Sequence, residues 1–370
     1  MNNFRFPDKT HCIRLFLLVI TLTLTNNICI AQKDFDVEGT LFGQPIKTKV
    51  DHKLAVNMLT NRQDSSVVNL FSSFQNAELD DELLGSITNQ YSLDVSTLFL
   101  IEKLYEQEKN RQLQDFYLSA IDSLSPLYLG KDISFLQDFF ILFVPAFNYE
   151  SNAGSFWEQR ALLDTAKISH DIVKTQQWGL VEGNAQLVVN HLQEISQHHR
   201  NIIVVSVSKG GLETALALES LTDDETLSAV KAWINVSGIL KGSPAADHWL
   251  KPGKKLWLRC GLFFSGKWKV PLNQLLNDLS YNQRKQDTQE FSIPKSIYTI
   301  NLIAGKLRTK KDKFDIILPS DGYSPLLDEI VKDGDVVFEM GADHTFKGID
   351  LNIRMIALLR YIVNQLQKTD

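Results

Sequence analysis

The 370-residue chain contains few cysteines and no long run of charge of one sign. Its three cysteines, Cys12, Cys29 and Cys260, are too few for a tetracysteine zinc site or a network of disulfides. Its 38 Lys and Arg residues against 44 Asp and Glu residues give a net charge of −6. A mildly acidic chain without a basic run is a poor general binder of nucleic acid, so we expect no nucleic-acid partner.

Motifs that hold common cofactors are also missing. The sequence has no HExxH metal motif, no phosphate-binding P-loop and no dinucleotide-type GxGxxG with an acidic partner. His52, His170, His191 and His248 have no partners at metal-ligand spacing. The sequence therefore predicts neither a metal nor an organic cofactor. What it does have is a 44% hydrophobic share with 22% charged residues, which is ordinary for a globular protein.

The first residues have the layout of a secretory signal peptide. Basic residues precede the apolar run 15–24, which is about half the length that a membrane span needs. Small-residue positions predict cleavage after Ala31, so we expect 1–31 to be removed and the protein to be exported, periplasmic or secreted. An uncleaved anchor is the alternative, and a lipidated Cys29 fits less well. After cleavage only Cys260 would remain, which excludes an internal disulfide.

Residues 32–135 are expected to form an N-terminal hairpin and helical extension. Apolar and polar residues alternate over 36–60, which predicts a short hairpin with turns at Gly39 and Gly43. Over 64–124, apolar residues recur at three- and four-residue steps, which predicts amphipathic helices packed on the rest of the protein. No catalytic spacing is found there. Packing on the core, shaping access to a site and anchoring a scaffold to the cell envelope remain open roles.

From about residue 136 to residue 370 the pattern becomes strand then helix, repeated. The segments 139–144 and 202–207 are continuous apolar runs, as expected of strands that are buried on both faces. Further strands are predicted near residues 171–175, 232–236, 297–303 and 336–340. This alternation predicts an α/β fold with a mostly parallel central sheet and helices on both faces.

The strongest chemical signal follows the apolar segment 202–207. The turn Ser206-Val207-Ser208-Lys209-Gly210 joins this predicted strand directly to a predicted helix. A nucleophile on so tight a turn needs small residues two positions before it and two positions after it, and Ser206 and Gly210 are small. Ser208 is therefore the candidate nucleophile. An ordinary strand-to-helix turn is the alternative.

Two later segments supply partners for Ser208. Asp321, followed by a glycine, and His344 each lie on a loop after a later predicted strand. The strand-turn-helix around Ser208 and the chain order serine, aspartate, histidine resemble the α/β-hydrolase superfamily, in particular its serine esterases and lipases. The resemblance covers about residues 136–370 and implies a Ser-His-Asp triad. A turn aspartate and a surface histidine are the alternatives.

The resemblance also implies a reaction. The backbone N–H of Lys209 would be one donor of an oxyanion hole, and Phe147, on the loop after the first apolar strand, would be the other, with Ala146 as fallback. Hydrolysis of a carboxylic ester, small or lipid-like, through an acyl-enzyme is the expected activity. Acyl transfer, peptide or thioester cleavage, and a binding protein without turnover remain alternatives. The oligomeric state is left open.

Residues 248–295 occupy the place of the cap insertion of that superfamily. Tryptophan, phenylalanine and leucine residues mix there with lysines and arginines, which suggests a cap with an apolar underside or a surface for nucleic acid or membrane. The cap is favoured, and an apolar lid would suit an acyl chain or an aromatic acyl group. Just before it, 233–247 resembles a stretch of bacterial lipases. Ser243 is there a predicted helix cap, and Asp247 would be the triad acid only if Asp321 fails.

Overall fold

The computed structural model describes residues 34–124, 133–151, 153–286, 290–307, 314 and 316–369. The predicted signal peptide lies outside this part of the chain. No helix among the described residues is long and apolar enough to cross a membrane.

The described chain forms strands and helices in an order close to the predicted one. The strands are β1 (Phe35–Leu41), β2 (Gln44–Val50), β3 (Phe140–Val144), β4 (His170–Ile172), β5 (Ile202–Val207), β6 (Val230–Val236), β7 (Tyr298–Gly305) and β8 (Asp335–Met340). The helices are α1 (Lys53–Thr60), α2 (Ser65–Ser73), α3 (Asp81–Gln90), α4 (Leu93–Tyr105), α5 (Glu108–Ser123), α6 (Trp157–Ala166), α7 (Val181–Ser196), α8 (Lys209–Ser220), α9 (Asp224–Ala229), α10 (Pro244–Leu250), α11 (Pro252–Phe264), α12 (Leu272–Asp278), α13 (Tyr281–Arg284) and α14 (Leu351–Thr369).

Six strands form one parallel sheet in the order β4-β3-β5-β6-β7-β8. Every residue of β3 is buried, as its continuous apolar sequence predicted. After β3 the chain adds β4 on one side of it, and it then adds β5 and the later strands on the other side. The position between β3 and β5 is therefore a topological switch point. In open α/β sheets, ligands bind at the carboxyl ends of the strands beside such a point.

Helices cover both faces of this sheet, which confirms the predicted architecture. On one face, Tyr117 of α5 and Leu163 of α6 pack with Phe143 of β3 and with residues of α14. On the other face, residues of α7 and α8 pack with Leu142 and Val204. Since neighbouring residues of β3 serve opposite faces, the strand is buried from both sides.

The N-terminal extension belongs to the same folded unit. Side chains of the hairpin and of α1–α4 share a core with Ile303 of β7 and Phe338 of β8. Helix α5 also binds the backbone of β8, the edge strand. The Asn110 Oδ1 accepts from Val336 N at 2.8 Å, the Gln114 Oε1 accepts from Phe338 N at 2.8 Å, and the Gln114 Nε2 donates to Phe338 O at 3.1 Å. Unpaired backbone groups of an edge strand are thereby satisfied.

The predicted turn at Gly39 is wrong. Strands β1 and β2 pair antiparallel around Phe42 and Gly43, which both have positive φ. Gly39 lies inside β1, where a Cβ would come within 2.5 Å of Leu59 O. A glycine is required there because helix α1 approaches the strand, not because the chain turns.

The predicted hairpin region 36–60 is also too long. The His52 side chain accepts a hydrogen bond from Leu54 N at 3.1 Å and starts helix α1. The buried residues of α1 recur at helical spacing, at Leu54, Ala55, Met58 and Leu59. These four residues form one buried face of α1. The segment therefore follows the 3.6-residue period of a helix and does not continue the alternation of the two strands.

Candidate active site

Ser208 occupies the strained turn between β5 and α8. Its backbone has φ +57° and ψ −120°, a combination that residues with a side chain seldom adopt. The turn packs against the end of β3, since a Cβ on Gly210 would lie 2.5 Å from Val144 O and 2.6 Å from Pro145 O. The strand end, the turn and the start of α8 thus hold the Ser208 side chain at the carboxyl end of the sheet.

Ser206 stands where turns of this kind usually have a glycine. It is fully buried, and its Oγ accepts a hydrogen bond from Trp233 Nε1 at 2.8 Å. Trp233 lies on β6 and is itself fully buried. The hydroxyl at position 206 therefore satisfies the indole of a core tryptophan, which a glycine could not do.

The structure brings together the side chains of Ser208, His344 and Asp321. The His344 Nε2 lies 2.8 Å from Ser208 Oγ, and the His344 Nδ1 makes a short hydrogen bond with an Asp321 carboxylate oxygen. The backbone N of His344 also donates to Asp321 O at 3.0 Å. The other carboxylate oxygen of Asp321 accepts from Tyr323 N at 2.8 Å and from Ser324 N at 3.0 Å.

Asp321 is fully buried, and its surroundings keep it ionised. Burial pushes the pKa of Asp321 upward, but His344 and the backbone N–H groups of Tyr323 and Ser324 outweigh burial, so the pKa lies below its ordinary value. A carboxylate at this position accepts the Nδ1–H of His344. That tautomer leaves the Nε2 as the acceptor for a proton from Ser208.

The predicted oxyanion donors lie on neighbouring turns. The Lys209 N–H belongs to the first turn of α8, where N–H groups have no acceptor within the helix. Phe147 lies on the loop after β3 and lines the same cavity as Ser208. The Ala146 N donates to Gly154 O at 3.2 Å. The N–H of the fallback donor Ala146 is therefore engaged within the loop, and Phe147 stays a prediction.

Three features now stand together: a parallel sheet with helices on both faces, a strained serine turn after β5, and an aspartate and a histidine on the loops after β7 and β8. The protein has an α/β-hydrolase fold. No protein-family model and no curated protein matches the chain.

Similar solved structures include a carboxyl esterase of metagenomic origin, 18% identical, with 63% of this chain and 77% of that chain covered at a TM-score of 0.48. They also include the mature form of a lipase from Bacillus licheniformis, 16% identical, with 61% of this chain and 92% of that chain covered at a TM-score of 0.45.

The Lys209 side chain, next to the candidate nucleophile Ser208, is buried in an ion pair that sequence reasoning missed. Its Nζ makes a short contact with Glu213 Oε1, which also accepts from Asn184 Nδ2 at 2.7 Å. Burial raises the pKa of Glu213 although Lys209 opposes the shift. Asn184 in turn holds both the N and the O of Gln176 at 2.9 Å. A lysine and a glutamate four residues apart on a helix can form an ion pair, so this spacing is the signal from which the pair could have been predicted.

A cavity of about 530 Å³ opens at Ser208 and His344. Its walls are mainly apolar and include Phe147, Trp178, Trp249, Leu258, Leu272 and Leu275. Leu258 of α11 and Leu272 of α12 come from the region that the sequence predicts to be a cap. The rings of Phe147 and Trp178 meet edge to face, with their centroids 4.7 Å apart. A largely apolar cavity of this size suits the apolar part of a small ligand.

Asp247, the alternative triad acid, binds other partners. It accepts a short hydrogen bond from Ser280 Oγ and a second one from Asn282 N at 3.2 Å. It therefore joins α10 to α13, and Asp321 is the acid that contacts His344. Ser243 caps α10, with its Oγ accepting from Ala245 N at 3.2 Å, which confirms the predicted helix cap.

One cluster has the side-chain types that bind metals. Asp321, Glu329 and His344 offer atoms within 4.8 Å of one another, and within the described ranges no other group of three does so. Both ring nitrogens of His344 are already engaged, one with Asp321 and one with Ser208. We therefore assign no metal to this cluster.

Proposed function

We propose that the protein is a serine hydrolase that cleaves carboxylic esters. The observation that carries this proposal is the 2.8 Å contact between His344 Nε2 and Ser208 Oγ, with Asp321 on the other ring nitrogen. A serine hydroxyl is a weak nucleophile at neutral pH and needs an adjacent base. Here the base is in contact with the hydroxyl and is oriented by a buried carboxylate.

In the acylation step, Ser208 Oγ attacks the ester carbonyl carbon while His344 Nε2 takes the hydroxyl proton. The backbone N–H groups of Lys209 and Phe147 stabilise the negative oxygen of the tetrahedral intermediate. Asp321 stabilises the imidazolium that has formed. Collapse of the intermediate expels the alcohol, which receives the proton from His344.

In the deacylation step, His344 takes a proton from water, and the water oxygen attacks the acyl carbon on Ser208. A second tetrahedral intermediate forms in the same oxyanion hole. Its collapse releases the carboxylic acid and returns the proton to Ser208. The apolar walls of the cavity favour esters whose acyl part is an alkyl chain or an aromatic group.

We also propose that the protein is exported after removal of residues 1–31, either to the periplasm or to the medium. The layout of the N-terminal sequence supports this proposal. Cys260 is exposed and unpaired in the folded protein, so export does not depend on a disulfide that involves it. The test is the N-terminal sequence of the protein recovered from each cell fraction. A cytoplasmic protein with an intact N-terminus would contradict export.

Covalent labelling with a fluorophosphonate probe tests the chemistry, since the probe reacts with activated serines. The wild-type protein should be labelled, Ser208→Ala should not be labelled, and Ser206→Ala should keep the label. A panel of p-nitrophenyl esters of increasing acyl length then measures activity, with Ser208→Ala as the blank. Labelling that survives in a folded Ser208→Ala protein would contradict the proposal.

A further inference from the structure

Helix α11 has apolar side chains on two opposite faces. Leu262 is buried and Leu258 lines the cavity. At roughly 100° of rotation per residue, the opposite face carries four large side chains with exposed fractions of 64%, 78%, 66% and 86%: Leu256, Trp257, Phe263 and Phe264. Trp268, just after the helix, is 65% exposed. Packing of the cap on the rest of the protein therefore explains only one of the two faces.

These side chains are concentrated in one place. The large hydrophobic residues with high exposure in the described ranges are Val68, Trp157, Leu256, Trp257, Phe263, Phe264, Trp268, Ile317 and Tyr323. More than half of them lie within 256–268. Single exposed hydrophobic residues are common, whereas a contiguous group marks an interaction site.

The charge of the same segment has one sign. Between residues 248 and 277 there are six basic residues and no acidic residue: Lys251, Lys254, Lys255, Arg259, Lys267 and Lys269. The whole chain has a net charge of −6, so this local excess of positive charge runs against the composition. On the helix, Lys254 and Arg259 fall on either side of the exposed apolar face at about 100° per residue. Apolar side chains flanked by cations match the acyl region and the anionic headgroups of a lipid surface.

We propose that Leu256, Trp257, Phe263, Phe264 and Trp268, together called the cap face, bind a surface of anionic phospholipid. The apolar side chains insert among the acyl chains, and the flanking cations contact the headgroups. Nucleic-acid binding depends mainly on Lys and Arg contacts to phosphates, whereas the centre of this face consists of exposed apolar side chains. This proposal does not depend on the chemistry at Ser208.

The test is co-sedimentation of the full-length protein with vesicles of phosphatidylcholine alone or mixed with phosphatidylglycerol. The wild type should bind the mixed vesicles, and salt should weaken the binding because it screens the charges. Trp257→Ala and Phe264→Ala should each lower the partition coefficient about tenfold, since each removes a large inserted side chain. Trp157→Ala, at a tryptophan that is 61% exposed on α6, is the matched control and should bind as the wild type does.

Several outcomes would overturn the proposal. Equal binding by the wild type and the Trp257→Ala/Phe264→Ala double variant would do so, as would no binding to anionic vesicles. If the wild type is a dimer and the double variant is a monomer, the cap face binds a second copy of the chain. If the wild type binds DNA and the double variant does not, the cap face binds nucleic acid. Ser208→Ala should bind vesicles normally, which separates failure here from failure of the proposed ester hydrolysis.

A second and independent observation concerns Glu329, the last residue of the short 3-10 turn Leu326–Glu329. Its side chain is fully buried, and neither carboxylate oxygen receives a hydrogen bond in the described structure. One of its oxygens lies within 4.8 Å of an Asp321 carboxylate oxygen and of a ring nitrogen of His344. Its main-chain O accepts from Asn235 Nδ2 at 2.8 Å, which fixes the residue to β6.

Two buried carboxyl groups this close do not both ionise, and one proton between them removes the repulsion. Asp321 already accepts hydrogen bonds from His344 and two backbone N–H groups, so it is the partner that stays charged. Burial and then the charges of Asp321 and Asp328 raise the pKa of Glu329 well above its ordinary value. We therefore assign the proton between the two groups to Glu329, the partner without the hydrogen bonds that hold the charge on Asp321.

We infer that Glu329 is a positioning residue, which donates its carboxylic proton to Asp321 and thereby orients that carboxylate toward His344. The inference rests in part on the proposed function, since its kinetic effect passes through the triad. Glu329→Gln keeps a neutral donor of similar shape, whereas Glu329→Leu removes the donor. The two variants therefore separate donation from packing.

The kinetic test is the pH profile of kcat/KM. Glu329→Gln should leave the midpoint of the acid limb unchanged and kcat/KM within about threefold, whereas Glu329→Leu should lower kcat/KM about tenfold, as expected for one lost hydrogen bond to a charged group. If Glu329 were ionised, Glu329→Gln would remove a negative charge near His344 and move the midpoint to lower pH. That shift would overturn the inference.

A spectroscopic test works without activity. The infrared difference spectrum between the wild type and Glu329→Gln at neutral pH should contain the C=O band of a protonated carboxylic acid. Its absence would overturn the inference even if the protein hydrolyses no ester tested. Absence of hydrolysis together with the band would instead contradict the proposed function alone.

Discussion

The ring of Tyr323 stacks on the imidazole of His344, with centroids 4.9 Å apart and planes 30° from parallel. The Tyr323 main chain is held as well, because its O accepts from Ser243 Oγ at 2.5 Å and its N donates to Asp321. One residue thus contacts both Asp321 and His344. It gives the imidazole a fixed plane in which Nε2 faces Ser208.

Replacement of this ring should reduce activity through orientation. We expect Tyr323→Ala to lower kcat/KM about tenfold, because aromatic pairs of this kind contribute roughly 0.5–1.5 kcal/mol and the imidazole gains freedom. Tyr323→Phe keeps the stack and should stay close to the wild type. Steady-state kinetics with a p-nitrophenyl ester measure both, and equal rates for the two variants would contradict a stacking role.

The turn that holds Ser208, the proposed nucleophile, should not tolerate a methyl group at position 210. Gly210→Ala places a Cβ against Val144 O and Pro145 O, and backbone atoms cannot move aside cheaply. We expect a loss of kcat/KM of about a hundredfold, since small displacements of a nucleophile cost that much. Gly183→Ala is the control, because no heavy atom lies within 4 Å of a Cβ there.

The Gly183→Ala control should itself change the stability of the protein by a measurable amount. Gly183 lies in α7, where alanine stabilises a helix by about 0.5–1 kcal/mol relative to glycine. Thermal unfolding of both variants, beside the kinetics, separates loss of the turn from loss of the fold. A Gly210→Ala protein with full activity would show that the turn does not need its close contact with β3.

Glu329 should make stability depend on pH in an unusual direction. Its pKa is raised on folding, mainly by burial, so its favourable contribution is complete below its unfolded pKa of about 4.3 and is lost as the pH rises toward the folded value. The amide side chain of the Glu329→Gln variant does not titrate. The free energy of unfolding of Glu329→Gln, relative to the wild type, should therefore increase between pH 5 and pH 8.

The pKa shift of Asp321 has the opposite sign, which is the usual one for a carboxylate in a folded protein. Its lowered pKa contributes stability that is present above its unfolded pKa of about 3.9 and is lost as the pH falls through the folded value. The two groups therefore act in different pH ranges, and urea denaturation at pH 5 and pH 8 isolates Glu329. A constant difference between the wild type and Glu329→Gln over this range would argue against a neutral Glu329.

The contact of α5 with the sheet edge should be visible in stability. Gln114→Ala removes two hydrogen bonds and leaves both the N and the O of Phe338 unsatisfied, so we expect a loss of about 2–4 kcal/mol in the free energy of unfolding. Gln112→Ala, on the exposed side of the same helix, should cost less than about 0.5 kcal/mol. Urea denaturation measures both, and similar losses would show that the amide of Gln114 is dispensable.

Much of the sheet was predictable because burial on both faces leaves an unbroken apolar run. The predicted strand 202–207 coincides with β5, and 139–144 differs from β3 by one residue. Ser208 was visible since its turn needs small neighbours in the adjacent sequence. The positions of Asp321 and His344 followed only from their order after later strands.

Other features depend on contacts that no local pattern contains. Gly39 is required by the approach of α1, which packing decides. Glu329 has its effect through Asp321, and their proximity follows from how the loop after β7 folds. The exposure of Trp257 could not be predicted from the sequence either. Apolar residues lie on both the inner and the outer face of this cap helix, so the pattern does not show which face is buried.

The amide contacts between α5 and β8 bear on where this protein can be cut. A fragment that begins at residue 136 would keep Ser208, Asp321 and His344, yet it would expose the apolar surface around Ile303 and Phe338 and leave the last strand open to pairing with another chain. Such a fragment would polymerise rather than work as a minimal enzyme. The helices that precede Ser208, Asp321 and His344 in the chain therefore act as a built-in terminator of sheet growth.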